Sequence, residues 1–198
     1  MGAPIEELQR IGLKVFASDD SAVRAREFVP IFHRWIQTRA LGELLLVDVA
    51  DYAHVPEGPG AVLVAHEGNF SIDLADERLG LLFYRKTPAP GTLVDRLRRL
   101  AHITLQAARL LEQDPALAGR LRFRGEALEL FANDRLLAPN DDATRMAFAP
   151  ALRELLTTLY GAVDCRVETP QRDRRERFAL HITAPAAVSV ADLLTRLG

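Results

Sequence analysis

Apolar and polar positions alternate through residues 11–17, so Ile11, Leu13, Val15 and Ala17 fall on one side of an extended segment. The Asp19-Asp20-Ser21 cluster ends it. From Pro30 the period changes, and Ile31, Phe32, Trp35 and Ile36 recur at helical spacing. Pro30 suits the first turn of that helix because its missing N–H has no intrahelical partner there. Gly42 suits the position just past its C-terminus. Residues 44–49 form a nearly continuous apolar run, as expected of a strand covered on both faces. A proline- and glycine-rich loop follows from His54 to Gly60, including Pro56. Residues 61–65, 70–74 and 79–86 then read as short strands joined by tight turns, an antiparallel meander. Thr92 followed by Asp95 resembles a capping box and opens the longest helix, predicted to run to about Gln113. Leu93, Leu97, Leu100, Thr104, Ala107 and Leu111 mark its buried stripe.

The second half repeats this style. Residues 120–124 and 126–132 read as two strands around Gly125. Asn133-Asp134 turns the chain, and Asn140 and Asp141 offer N-caps for a helix ending at Tyr160 before Gly161. Pro150 predicts that this helix is kinked or begins late. Val163, Cys165 and Val167 alternate with Asp164, Arg166 and Glu168, the pattern of a strand with one covered side. Residues 177–183 pair with it across a charged loop, and Ser189 caps a closing helix through Leu197.

Laid over each other, the halves match. Residues 13–19, Leu-Lys-Val-Phe-Ala-Ser-Asp, align with residues 128–134, Leu-Glu-Leu-Phe-Ala-Asn-Asp, 115 positions later. Pro30 answers Pro150 and Gly42 answers Gly161, while Val64-Ala65-His66 answers Ala179-Leu180-His181. The expected fold is therefore α+β, a single domain over residues 1–198. It would consist of two similar β-α-β-β halves, about 8–114 and 120–198, with an antiparallel sheet packed by helices. Such a unit buries only one sheet face under its helix, so two copies would complete each other's interior.

Composition narrows the function classes. The 198 residues are 48% hydrophobic and carry 25 basic against 27 acidic side chains, for a net charge of -2. That supports a packed core and excludes a disordered chain. No run of ~18 uncharged apolar residues offers a membrane span. Glu6 and Glu7 stand where a secretory signal would need basic residues, and the single Cys165 leaves no intrachain disulfide, so the cytoplasm is the expected location. Arg172, Arg174, Arg175 and Arg177 alternate with Asp173 and Glu176, a solvated loop rather than a nucleic-acid surface.

Two constellations could carry chemistry. Asp51, His54, His66, Glu67 and Asp73 crowd a predicted hairpin that could bring the histidines together. Asp51, His54, His66 and Glu67 would make a workable ligand set for a divalent metal with one position open. In the other, Tyr84 and Lys86 share a strand side and could join Asn133 and Arg135 at the Asn133-Asp134 turn, to bind an anion or donate a proton. No phosphate loop, dinucleotide fingerprint or nucleophile elbow occurs, and no cofactor is named by any motif. The sequence leads to the expectation of a module binding a small molecule or a protein, without nucleic acid or membrane. Its ligand residues would be His54, His66, Asp73, Tyr84, Lys86, Asn133 and Arg135. An enzyme working through residues 51–73, with or without metal, is the first alternative. A homo-oligomer built on exposed sheet edges is the second.

Overall fold

The computed structural model describes residues 5–52, 54, 55, 58–170, 173 and 175–198. Residues 1–4, Pro56 of the first loop, and Arg172 and Arg174 of the charged loop lie outside them. Among the described residues, eight strands form one antiparallel sheet: β1 (Ile11–Ala17), β2 (Leu46–Tyr52), β3 (Gly60–Ala65), β4 (Gly68–Asp73), β5 (Gly80–Arg85), β6 (Phe123–Ala132), β7 (Arg166–Glu168) and β8 (Phe178–Thr183). Their spatial order is β2-β3-β4-β5-β1-β6-β8-β7. Four α-helices accompany it: α1 (Phe28–Thr38), α2 (Leu93–Glu112), α3 (Asp142–Tyr160) and α4 (Val190–Leu197). The class is α+β.

Period-two patterning explains the layering. Ile11, Leu13 and Val15 of β1, Leu128 and Leu130 of β6, and Phe70 and Phe83 enter one continuous core. Trp35 of α1, Leu97 and Leu100 of α2, Phe148 and Leu155 of α3, and Leu193 of α4 meet them there. Alternate strand residues must point the other way, so Gly12, Lys14 and Phe16 face a side that these helices leave uncovered. The sequence-predicted capping box is present, with Thr92 accepting from the Asp95 N–H and Asp95 accepting from the Thr92 N–H. Asp141 and Ser189 likewise cap α3 and α4.

Several local expectations are corrected. Helix α1 ends at Arg39, a left-handed residue with φ 52°, three positions before Gly42. Residues 123–132 form one strand, not two. β6 lies between β1 and β8 and is held by pairing on both sides, and the disturbance near Gly125 survives as an irregular register opposite Val15–Ala17. Helix α3 begins at Asp142 and runs through Pro150. Pro150 and Met146 are both solvent-exposed, which leaves water to satisfy the carbonyl that loses its N–H partner. Strand β7 spans only three edge residues, and Val163 and Val167 are exposed, so the expected one-sided strand is short and uncovered.

The β-α-β-β layout also differs in the first half, where four strands rather than two separate α1 from α2. The Val64-Ala65-His66 match to residues 179–181 falls on strands with different neighbours. β3 lies between β2 and β4, while β8 lies between β6 and β7. The central pair is more regular. β1 and β6 run antiparallel with Leu13 opposite Leu130, Lys14 opposite Glu129 and Val15 opposite Leu128. Outward from that pair, β5 then β4 flank β1, and β8 then β7 flank β6.

Candidate functional site

The helix-free face of the sheet is not an ordinary solvated surface. Along one register it runs from Ser71 on β4 through Leu82, Lys14, Glu129 and His181 to Glu168 on β7. Lys14, in mid-strand, is only 1% exposed, and Glu129 beside it 7%. A charge removed from water to that degree must be paired. Lys14 Nζ meets Asp73 Oδ2 at 2.5 Å. Its stem reaches β4 by crossing Gly80, where a Cβ would stand 2.6 Å from Lys14 Cε. The Glu129 carboxylate is held on both oxygens: Arg177 Nη2 donates to Oε1 at 2.9 Å, and His181 Nε2 lies 3.2 Å from Oε2.

The neighbouring register carries the aromatic part. Gly12 of β1 has no side chain, and a Cβ there would fall 2.1 Å from the tip of the Phe131 ring. The Phe131 ring therefore lies flat across β1 and stacks on Tyr84, with centroids 6.1 Å apart and planes within 17°. The Arg177 guanidinium sits 3.9 Å over the Phe131 ring, a cation–π arrangement. Phe16, on the far side of the central pair, carries the Arg78 guanidinium at 3.7 Å in the same way. Asn133 Nδ2 donates to Tyr84 Oη at 3.4 Å. Since that hydroxyl accepts from Asn133, its own proton is free for a ligand.

These side chains border a groove of about 430 Å³. Val62, Val64 and Leu82 make an apolar floor, and Tyr84 and Phe131 line one wall. Asn69, Ser71, Asn133 and Arg177 supply polar groups at its border. Asn69 Oδ1 is buried without a hydrogen-bond partner. An apolar cavity with a few placed polar groups is the usual build of a small-molecule site.

The expected site residues divide. Tyr84 and Asn133 meet, and both line this groove. Asp73 lies on the same face but engages Lys14 rather than a histidine. Lys86 and Arg135 are exposed and do not line the groove. The structure does not bring His54 and His66 together. β2 and β3 form an antiparallel hairpin, with His54 in the connection after Tyr52 and His66 past the opposite end of β3. The length of a six-residue strand, roughly 20 Å at about 3.3 Å per residue, separates the two positions. Asp51, on edge strand β2, is exposed. Glu67 accepts the Leu45 N–H at 3.2 Å and takes a structural role in the β3–β4 turn. Among the described residues, no group of three or more His, Cys, Asp and Glu side chains could hold a metal ion.

Lys14, Glu129, Phe131 and Arg177 were missed by sequence reasoning. One signal was available: Lys14 and Glu129, like Phe16 and Phe131, occupy matched positions in the 115-residue alignment. Strand β2 exposes Val47 and Tyr52 along the sheet's edge, but Asp48 takes the Val49 N–H at 2.8 Å and puts a carboxylate there, a feature that discourages strand addition. Cys165 is half-buried, and burial pushes its thiol pKa upward, which disfavours the thiolate. Among the described residues, no helix is long and apolar enough to cross a membrane. No protein-family model, no curated protein and no solved structure matches the chain.

Proposed function

We propose that this chain is a binding module for a small molecule, and that the ligand sits on the helix-free face of the sheet between Val64 and Phe131. One observation carries the reading. A sheet face with no helix over it buries Lys14, Glu129 and Phe131, and half-buries Tyr84, beside an open groove with an apolar floor. Stability alone does not call for that arrangement, because buried ion pairs are commonly no better than well-packed apolar residues. It does hold Arg177, Tyr84 and Phe131 in fixed positions along the groove. The groove's size and its mixture of apolar floor and polar border favour a small ligand over a flat protein surface.

The test is a small-molecule screen followed by amide chemical-shift mapping. Bound molecules should perturb β3, β4 and β5 around Val64, Asn69 and Tyr84. Val64→Tyr, which fills the floor with a residue that suits a strand, should abolish binding while leaving the melting temperature within a few degrees. Ligands that map to the helical layer, or that survive Val64→Tyr unchanged, would remove this reading.

The same reading takes the two halves as copies of one strand-helix-strand-strand-helix unit, with β2 and β3 added to the first. Three correspondences support it. Lys14 and Glu129 face each other across the central pair, and Phe16 and Phe131 flank them. Arg78 and Arg177 each cover one of those rings from just before the strand that joins the central pair. Residues 120–198 alone should then pair through β6, but only if the facing Glu129 carboxylates are made complementary. A mixture of the wild-type fragment and its Glu129→Lys form should give a dimer by light scattering, and persistent monomers would count against common ancestry of the halves.

A further inference from the structure

We infer that the groove takes a flat aromatic monocarboxylate, with Arg177 receiving the carboxylate; this rests on the groove being a ligand site, as proposed above. Charge is the first argument. Among the described residues that line the groove, Arg177 is the sole ionised side chain, and no carboxylate faces the space. Glu129 neutralises part of the guanidinium charge from beneath, but its side chain is only 10% exposed whereas that of Arg177 is 42% exposed. The outward N–H groups of Arg177 are therefore available to a ligand, and the inward one, on Nη2, goes to Glu129 Oε1. Guanidinium and carboxylate match as planar two-point partners.

Preorganisation is the second argument. Arg177 is pinned by its stack on Phe131 and its bond to Glu129, so little side-chain freedom remains to be lost when a ligand arrives. Shape is the third. The Tyr84 ring, nearly parallel to the Phe131 ring that Arg177 covers, stands beside an aliphatic floor, which suits an aryl body, and the free Tyr84 O–H can donate to it or to its acid group.

The rest of the face provides an internal comparison. Arg78 over Phe16 borders a second groove of about 450 Å³, but there Asp19 and Glu77 stand beside Arg78 and Arg124 and offset their charge. An anion entering there meets carboxylates already in place. The same cation–aromatic pair thus occurs twice, and only the Arg177 copy faces a space free of negative charge.

Isothermal titration with 2-naphthoate and its neutral isostere 2-naphthamide tests the inference on the wild-type chain. Naphthoate should bind at least about tenfold more tightly, the difference expected of a charge-assisted bidentate contact. Arg177→Met should bring naphthoate down to the naphthamide level, and Arg78→Met should change neither. Should Arg177→Met fold poorly, Arg177→Lys keeps the charge and loses the fork, and it should retain only part of the preference. Equal affinities for the two compounds would overturn the carboxylate assignment while leaving a ligand site in place. Binding of neither compound would also overturn the assignment, and an empty small-molecule screen would then take the ligand site with it. A preference abolished by Arg78→Met and not by Arg177→Met would place the anion in the other groove and overturn the assignment as well.

Discussion

Lys14 is the residue on which the helix-free face turns. A lysine with 2% of its side chain exposed is tolerated in mid-strand because Asp73 reaches it from two strands away. Removing one partner leaves the other buried and uncompensated, which costs about 3–5 kcal/mol in comparable pairs, whereas removing both is often nearly neutral. Lys14→Met should therefore destabilise the fold by about 3 kcal/mol. The double variant Lys14→Met/Asp73→Asn should recover at least half of that in urea titration, and strictly additive losses would contradict the pairing. Glu112 offers a pH-dependent counterpart. Burial raises its pKa above the ordinary 4.5, and the Phe123 N–H donated to it at 2.7 Å only partly offsets that. The folded chain then holds a proton that the unfolded chain has already released, so stability falls as pH rises through the window just above 4.5. Glu112→Gln keeps an acceptor for Phe123 and removes the charge. Its stability relative to wild type should climb across pH 4 to 7 in equilibrium unfolding, and a difference independent of pH would exclude this account.

Helix α2 shows how one element recruits another. Its N-terminus is capped by Thr92 and Asp95, yet one turn in it buries Arg96, although a cation at that end opposes the helix dipole. Hydrogen bonding explains the placement. Arg96 Nε donates to the Leu8 carbonyl at 3.1 Å, Nη1 to the Gly91 carbonyl at 2.5 Å, and Nη2 to the Glu6 carbonyl. The side chain thereby fastens residues 6–8 to the start of the helix, and Leu8 enters the core beside it. Arg96→Met fills similar volume without donors and leaves these acceptors unmet, so a loss of about 2–4 kcal/mol is expected. Amide exchange should localise the opening to residues 6–12. Unchanged protection there would mean that the guanidinium is dispensable.

At the scale of the whole molecule, the halves share a sheet and a core. β1 and β6 are central strands for both, and α2 packs on α4 and α3 of the other half. Neither half closes its interior alone, so unfolding should be a single cooperative event. Trp35 fluorescence reports the first half only, while far-UV ellipticity reports both. Their thermal transitions should coincide, and an earlier transition in either signal would establish independent halves. The site follows the same logic, because its wall joins Tyr84 from the first half to Phe131 and Arg177 from the second.

The sequence by itself determined the elements and most of their order. Local interactions specify them: period-two patterning marks β1, the helical stripe and capping box define α2, and Asn133-Asp134 turns the chain. It also marked Tyr84 and Asn133 as neighbours in chemistry. Lys14 and Glu129 looked like ordinary polar positions, because nothing local says that β1 and β6 will adjoin. That pairing links residues 115 apart, and the tertiary structure alone decided it. The opposite error has the same cause. His54 and His66 are close in sequence, but an antiparallel hairpin holds them at opposite ends of a strand. Local chemistry thus selects strands and helices, while the register between distant strands decides which side chains share a face and which charges can remain buried.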